Sequence, residues 1–211
     1  DSEKKLAEYK RKLDFIEADF REKKGNREDD SFLLALALFN YFWETKPERY
    51  NGNFLLTDVI DAQLNPNAEG VGNCVGLTSL YSVIGQRVGL ELKVLHQRDI
   101  YDFTEDDVPW ASHVRNRVFI GKRAVDIENT CYAELHYLGD GEVKDLLFLA
   151  SSIYESIGCK KYNCGMFEEA LVNFYKAFDL NPDYAGFLRN IGEAKQRLGR
   201  HKEEILVHYR R

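Results

Sequence analysis

Proline is nearly absent from this sequence, at 4 of 211 residues, and nothing in it resembles a disordered linker. Long apolar runs are missing too. None approaches the roughly 20 residues that a helix needs to span a bilayer, so no transmembrane segment is expected. There is no basic excess: Asp and Glu number 35 against 29 Lys and Arg, a formal net charge of −6. Phosphate backbones are bound by basic surfaces, so nucleic acid is not expected as a partner. Cysteine is sparse, and Cys74, Cys131, Cys159 and Cys164 form no CxxC pair. That spacing argues against a structural zinc site and against a dense disulfide framework. A metal cluster from Cys74, His96, His113 and Cys131 would lack any closely spaced ligand pair, and no metal or cofactor is expected. Read as free thiols, the cysteines point to a reducing compartment, the cytoplasm. A cleaved export signal stays open, because the sequence begins at Asp1 rather than at a methionine.

What is present suffices for a core, with 44% hydrophobic and 13% aromatic residues in a length that fits one large or two small domains. Leu6, Tyr9, Leu13, Ile16 and Phe20 recur in steps of three and four, which predicts a helix with one apolar face ending at Gly25-Asn26. A second helix, over 31–43 and capped by Asp30 or Ser31, is apolar nearly all round and is expected in the core. Residues 46–72 are rich in Asn, Pro, Gly and Asp and read as irregular. A third helix starts at Cys74, buries Val75, Leu77, Leu80, Tyr81, Ile84 and Val88, and stops at Gly89. Strands are expected over 90–96, 113–120 and 123–128, with helices from about Lys144 onward.

The C-terminal third repeats itself. Gly158 recurs as Gly192 and Gly165 as Gly199, both at a step of 34, and Ala170, Phe174, Ala177 and Pro182 occupy the positions a tetratricopeptide repeat prefers. One unit covers 151–184. A second begins at Ala185 and is seven residues short of complete. The expected division is a domain over 1–143 and a helical repeat region over 144–211.

The chemistry candidates centre on Cys74. A thiol at a helix N-terminus meets the positive end of the helix dipole, which favours the nucleophilic thiolate. A catalytic cysteine needs an imidazole to hold its proton and a carboxylate to orient that imidazole. His113 opens the second strand and Asp126 lies in the third, on the same face if the two strands form a hairpin. A two-residue loop at Ile120-Gly121 or at Gly121-Lys122 pairs His113 with residue 128 or 130 respectively. With the first loop Asp126 is a diagonal neighbour at about 7 Å between backbones, a span that a His–Asp pair bridges; with the second it is too far without a bulge. Glu128 shares the face of Asp126, as a second carboxylate or as a polar strand position. Cys131 reads as structural. His96 reads as a solvated strand exit. Trp110, in the acidic and aromatic loop 99–110, is a candidate lining for a substrate groove or simply part of a solvated connection.

The run Gly72-Asn-Cys-Val-Gly-Leu-Thr-Ser-Leu-Tyr-Ser-Val-Ile-Gly-Gln-Arg-Val-Gly-Leu90 resembles the nucleophile helix of the transglutaminase-like superfamily. His113-Val and Ala124-Val-Asp126 resemble its histidine and aspartate strands, in the family's order. The likeness covers about residues 70–130 and is nearest to the bacterial branch in which such a domain precedes tetratricopeptide repeats. It implies an α+β, papain-like fold with the Cys helix packed on an antiparallel sheet. It also implies Cys74, His113 and Asp126 as a catalytic triad acting on amides by hydrolysis or acyl transfer through a thioester. The backbone N–H of Cys74, with Gln63 or Asn73, would stabilise the oxyanion. The repeats would engage a protein or peptide partner. The competing expectation is an inactive domain that works as an interaction module through those repeats.

Overall fold

A computed structural model describes residues 2–24, 30–97, 113–132 and 140–199. Trp110 and the rest of the 99–110 loop lie outside the described residues. The chain divides into two compact units at Asp145/Leu146. Seven helices and a four-stranded antiparallel sheet make the described fold a mixed α and β one. No helix among the described residues is long and apolar enough to cross a membrane.

The first unit contains α1 (Ser2–Lys24), α2 (Ser31–Thr45), α3 (Leu56–Leu64), α4 (Cys74–Arg87) and strands β1 (Leu92–Gln97), β2 (His113–Ile120), β3 (Arg123–Ile127) and β4 (Glu142–Lys144). The α1 stripe is buried only in its second half: Ile16 and Phe20 are covered, whereas Leu6 is 57% exposed. Asp30 caps α2, its Oδ1 accepting from the N–H of Phe32 at 2.8 Å and of Leu33 at 3.3 Å. Residues 46–72 are less irregular than expected, because α3 lies within them. Its nine residues bury Val59, Ile60, Ala62 and Gln63, a stripe too short to stand out among flanking Asn and Pro.

The central element is α4. Leu77, Leu80 and Ile84 are fully buried, each contributing about 1.5–3 kcal/mol of apolar burial. Tyr81 is equally buried, and its hydroxyl donates to the Ala35 carbonyl of α2 at 2.8 Å. Gly89, at φ +99, ends the helix as expected.

The sheet order is β3-β2-β1-β4. In the hairpin Ile120 pairs with Arg123, so the loop is Gly121-Lys122, with Gly121 at φ +58. Arg117 therefore faces Asp126. The short β4, pairing with β1 from Glu142 to Lys144, had no sequence signal strong enough to separate it from the helical region that follows.

The second unit holds α5 (Leu147–Asn163), α6 (Phe167–Leu180) and α7 (Ala185–Arg197). Ala170, Leu171, Phe174, Ile191 and Ala194 form its core. Gly158 lets α5 approach α6 closely: a Cβ there would stand 2.4 Å from the Phe174 ring. The turns after α5 and after α7 both place a glycine in the left-handed region, Gly165 at φ +75 and Gly199 at φ +67.

Candidate active site

Cys74 is delivered to its place by two laced segments. The Arg49 carbonyl accepts from the N–H of Val71 at 2.7 Å and of Gly72 at 3.0 Å, and the N–H of Asn73 donates to the Asn53 carbonyl at 2.8 Å. That backbone approach leaves no room for side chains. A Cβ on Gly72 would be 2.9 Å from the Asn53 oxygen, and one on Gly76 would be 2.7 Å from it and 2.6 Å from Val59. Asn73 is the N-cap of α4, its Oδ1 accepting from the Gly76 N–H at 3.1 Å. Cys74 is thus the first residue of the helix and is half-buried.

Helix and sheet are joined by a polar stripe at four-residue spacing. Thr78 Oγ1 donates to the Val114 carbonyl at 3.1 Å, and Asn116 Nδ2 donates to Ser82 Oγ at 2.7 Å. Asn129 Nδ2 in turn donates to Asn116 Oδ1 at 2.8 Å. The first of these bonds ties the second turn of α4 to the start of β2, and the Cys74 thiol lies close enough to His113 to raise the pKa of the ring. The polar positions 78 and 82, four residues apart and both buried, were the available sign of this seam.

On its other side His113 meets Glu128, Nε2 to Oε2 at 2.7 Å. The remaining carboxylate oxygen of Glu128 accepts from the Thr130 N–H at 3.0 Å and its hydroxyl at 2.5 Å. Hydrogen bonding to Cys74, and then to Glu128, raises the His113 pKa to about 10 against partial burial, which lowers it. Burial pushes the Glu128 carboxyl up, but the bonds from His113 and Thr130 outweigh it and hold the group below the usual carboxylate range.

The expected partnership of His113 with Asp126 is therefore corrected by the hairpin register. With Gly121-Lys122 as the loop, Glu128 takes the place beside His113. Asp126, 1% exposed, instead accepts a two-pronged bond from Arg117, Nε at 2.7 Å and Nη2 at 2.9 Å.

Gln63, a candidate oxyanion donor, is employed elsewhere. Its Oε1 accepts from Arg49 Nη1 at 3.0 Å and its Nε2 donates to Thr45 at 3.0 Å, inside a buried network between α2 and α3. Asn73 sits beside Cys74, but its Oδ1 is committed to the cap. His96 is not a solvated exit: it lies in an inward-facing position of β1 and is fully buried. All four cysteines are free thiols, and Cys131, expected to be structural, is exposed. Burial, with Glu155 and Glu193 nearby, raises the Cys159 thiol to about 12.

Searches of protein-family models, of curated proteins and of solved structures each found no match to this chain.

Proposed function

We propose that this chain is a thiol-dependent hydrolase or acyltransferase acting on amide or peptide bonds, with Cys74 as nucleophile, His113 as proton carrier and Glu128 as the carboxylate that orients it. The observation that carries this reading is the imidazole of His113 held between a helix-start thiol and a buried carboxylate. The thiolate of Cys74 attacks the carbonyl carbon, and the S–C bond forms as the carbonyl electrons move onto oxygen. The backbone N–H of Cys74, at the start of α4, is placed to stabilise that charge. Collapse expels the amine, which takes a proton from His113 and leaves a thioester. Water or a second amine then gives a proton to His113 and releases the acyl group. Glu128 keeps the ring oriented and balances its charge throughout.

The transglutaminase-like resemblance of residues 70–130 supports this reading for Cys74 and His113; it departs from the resemblance in giving Glu128 the role expected of Asp126. The second unit is read as one tetratricopeptide repeat and the first helix of another. Its close α5–α6 approach at Gly158 and its paired glycine turns at a 34-residue step support that reading. Its role is to engage a protein or peptide.

Iodoacetamide labelling at neutral pH, followed by peptide mass analysis, tests the site. Cys74 is expected to react fastest of the four cysteines and Cys159, whose thiol pKa is raised, slowest. His113→Ala is expected to slow Cys74 by about tenfold or more, with the other thiols unaffected. Labelling of Cys74 that ignores His113 would sink the enzyme reading.

A further inference from the structure

The face of the β2–β3 hairpin that carries His113 also carries a charge imbalance. His113, Arg115 and Arg117 alternate along β2 and point to one side, and Lys93 lies opposite Arg117 on β1. Three of these four cations have a carboxylate: His113 has Glu128, Arg117 has Asp126, and Lys93 has Asp145. Arg115 has none among the described residues. The hairpin register carried one step further would set it opposite Glu128, yet that carboxylate spends both oxygens on His113 and Thr130. The Arg115 guanidinium leans the other way, and Nη2 donates to the neutral Oε1 of Gln97 at 3.1 Å. Gln97 is the β1 residue paired with His113, so this contact sits beside the proposed proton carrier. Arg115 Nε is buried and makes no hydrogen bond. A buried donor without a hydrogen bond and a cation without a counter-charge are both costly, and an anionic ligand at this side chain would relieve both costs.

We propose that Arg115 anchors an anionic group of the acyl donor, so that the site prefers substrates carrying a carboxylate a few bonds from the scissile carbonyl, as acidic side chains and peptide C-termini do. The inference rests on the Cys74–His113 reading of the site. Two residues along a strand separate His113 from Arg115 by about 7 Å, a span that a four-carbon acyl chain with a terminal carboxylate covers. The planar guanidinium suits bidentate capture of a carboxylate.

The test compares two activated esters of equal chain length, p-nitrophenyl hydrogen glutarate and p-nitrophenyl valerate. In each the Cys74 thiolate forms an S–C bond to the carbonyl, the C–O bond breaks and p-nitrophenolate leaves with the electron pair. Its release is followed in the full chain at matched ionic strength. The anionic ester is expected to acylate Cys74 about tenfold faster than the neutral one, a difference typical of one charge pair in a partly buried site. Arg115→Met should abolish that preference, leaving the valerate rate and the iodoacetamide labelling of Cys74 within about twofold. Arg115→Lys should keep part of it. Equal rates for the two esters in the unaltered protein, or a preference untouched by Arg115→Met, would overturn the proposal. Should Arg115→Met disturb folding, seen as altered iodoacetamide labelling, free glutarate decides. It should slow iodoacetamide labelling of Cys74 in the unaltered protein, and absence of protection overturns the anchor. Failure of the nucleophile reading shows separately, as labelling independent of His113.

Discussion

Two carboxylates two residues apart, one in β3 and one just past its end, do different work because each met a different cation. Glu128 serves the His113 ring, and Asp126 holds Arg117 in a buried, two-pronged pair. Their substitutions should therefore separate. Glu128→Gln removes the charge that helps hold the His113 pKa near 10, so an NMR titration of the ring should show it falling toward the ordinary value of 6.5. Asp126→Asn should leave that titration in place and instead cost stability of order 3 kcal/mol in urea unfolding, since it removes the charge of the buried carboxylate from its two-pronged pair with Arg117. The pH dependence follows the same logic. His113 has a folded pKa raised above its unfolded value. Its contribution to stability is complete below about pH 6.5 and disappears as pH rises through about 10. Glu128 has a lowered one, so its contribution is present above the unfolded value of 4.5 and is lost as acid protonates it. The unaltered protein should lose the first contribution between neutral pH and 10, and His113→Ala should flatten that limb of a stability–pH curve.

At the level of elements, the placement of Cys74 depends on how closely α4 and its entry loop lie against residues 53–59. Gly76 is the tightest point, where an added methyl group would fall 2.6 Å from Val59 and 2.7 Å from the Asn53 carbonyl. Gly76→Ala is expected to cost about 1–3 kcal/mol and to slow iodoacetamide labelling of Cys74, because relief of the overlap moves the helix start away from His113. Thr78→Val would sever the tie to the Val114 carbonyl with less strain. The helix itself was legible in the sequence, since its apolar spacing, its Asn73 cap and its terminal Gly89 all agree. The β2 boundaries were legible for a similar reason, with Gly121 marking the turn. The register was not. Two loops one residue apart both satisfy hairpin geometry, and the choice between them moves the pairing by two residues and exchanges Asp126 for Glu128. Alternation cannot resolve this, because a shift of two keeps every side chain on its own face. The α3 helix and β4 escaped notice because neither is long enough to show a period. The burial of His96 was hidden by the polar Gln-Arg-Asp that follows it.

The protein has two compact units, and each holds a group with a raised pKa, His113 in the first and Glu155 in the second. In the helical unit Glu155 is half-buried, and Asn190 Nδ2 donates to its Oε1 at 2.8 Å. Burial, partly offset by that bond, raises its pKa to about 7. A carboxyl with a raised folded pKa stabilises the fold fully below its unfolded value near 4.5 and ceases to do so as pH climbs through about 7. Glu155→Gln keeps an acceptor for Asn190 and removes the titration. Thermal unfolding followed by circular dichroism should show this variant more stable than the parent at pH 8, by of order 1–3 kcal/mol, with the advantage shrinking by pH 5. The division into two units was visible in the sequence through the 34-residue step of Gly158 and Gly165. The Gly121-Lys122 turn has a consequence for how such a chain diverges. If the two-residue turn moved back by one position, to Ile120-Gly121, the strands would slide by two residues, Asp126 would arrive diagonally beside His113 and Arg115 would come to face Asp126. The ring would keep a carboxylate neighbour, while the arginine would acquire a counter-charge of its own. A one-position move of the turn would then keep a carboxylate beside the ring while removing the basis of the proposed anion preference, so the placement of one turn couples the two proposed roles of this face.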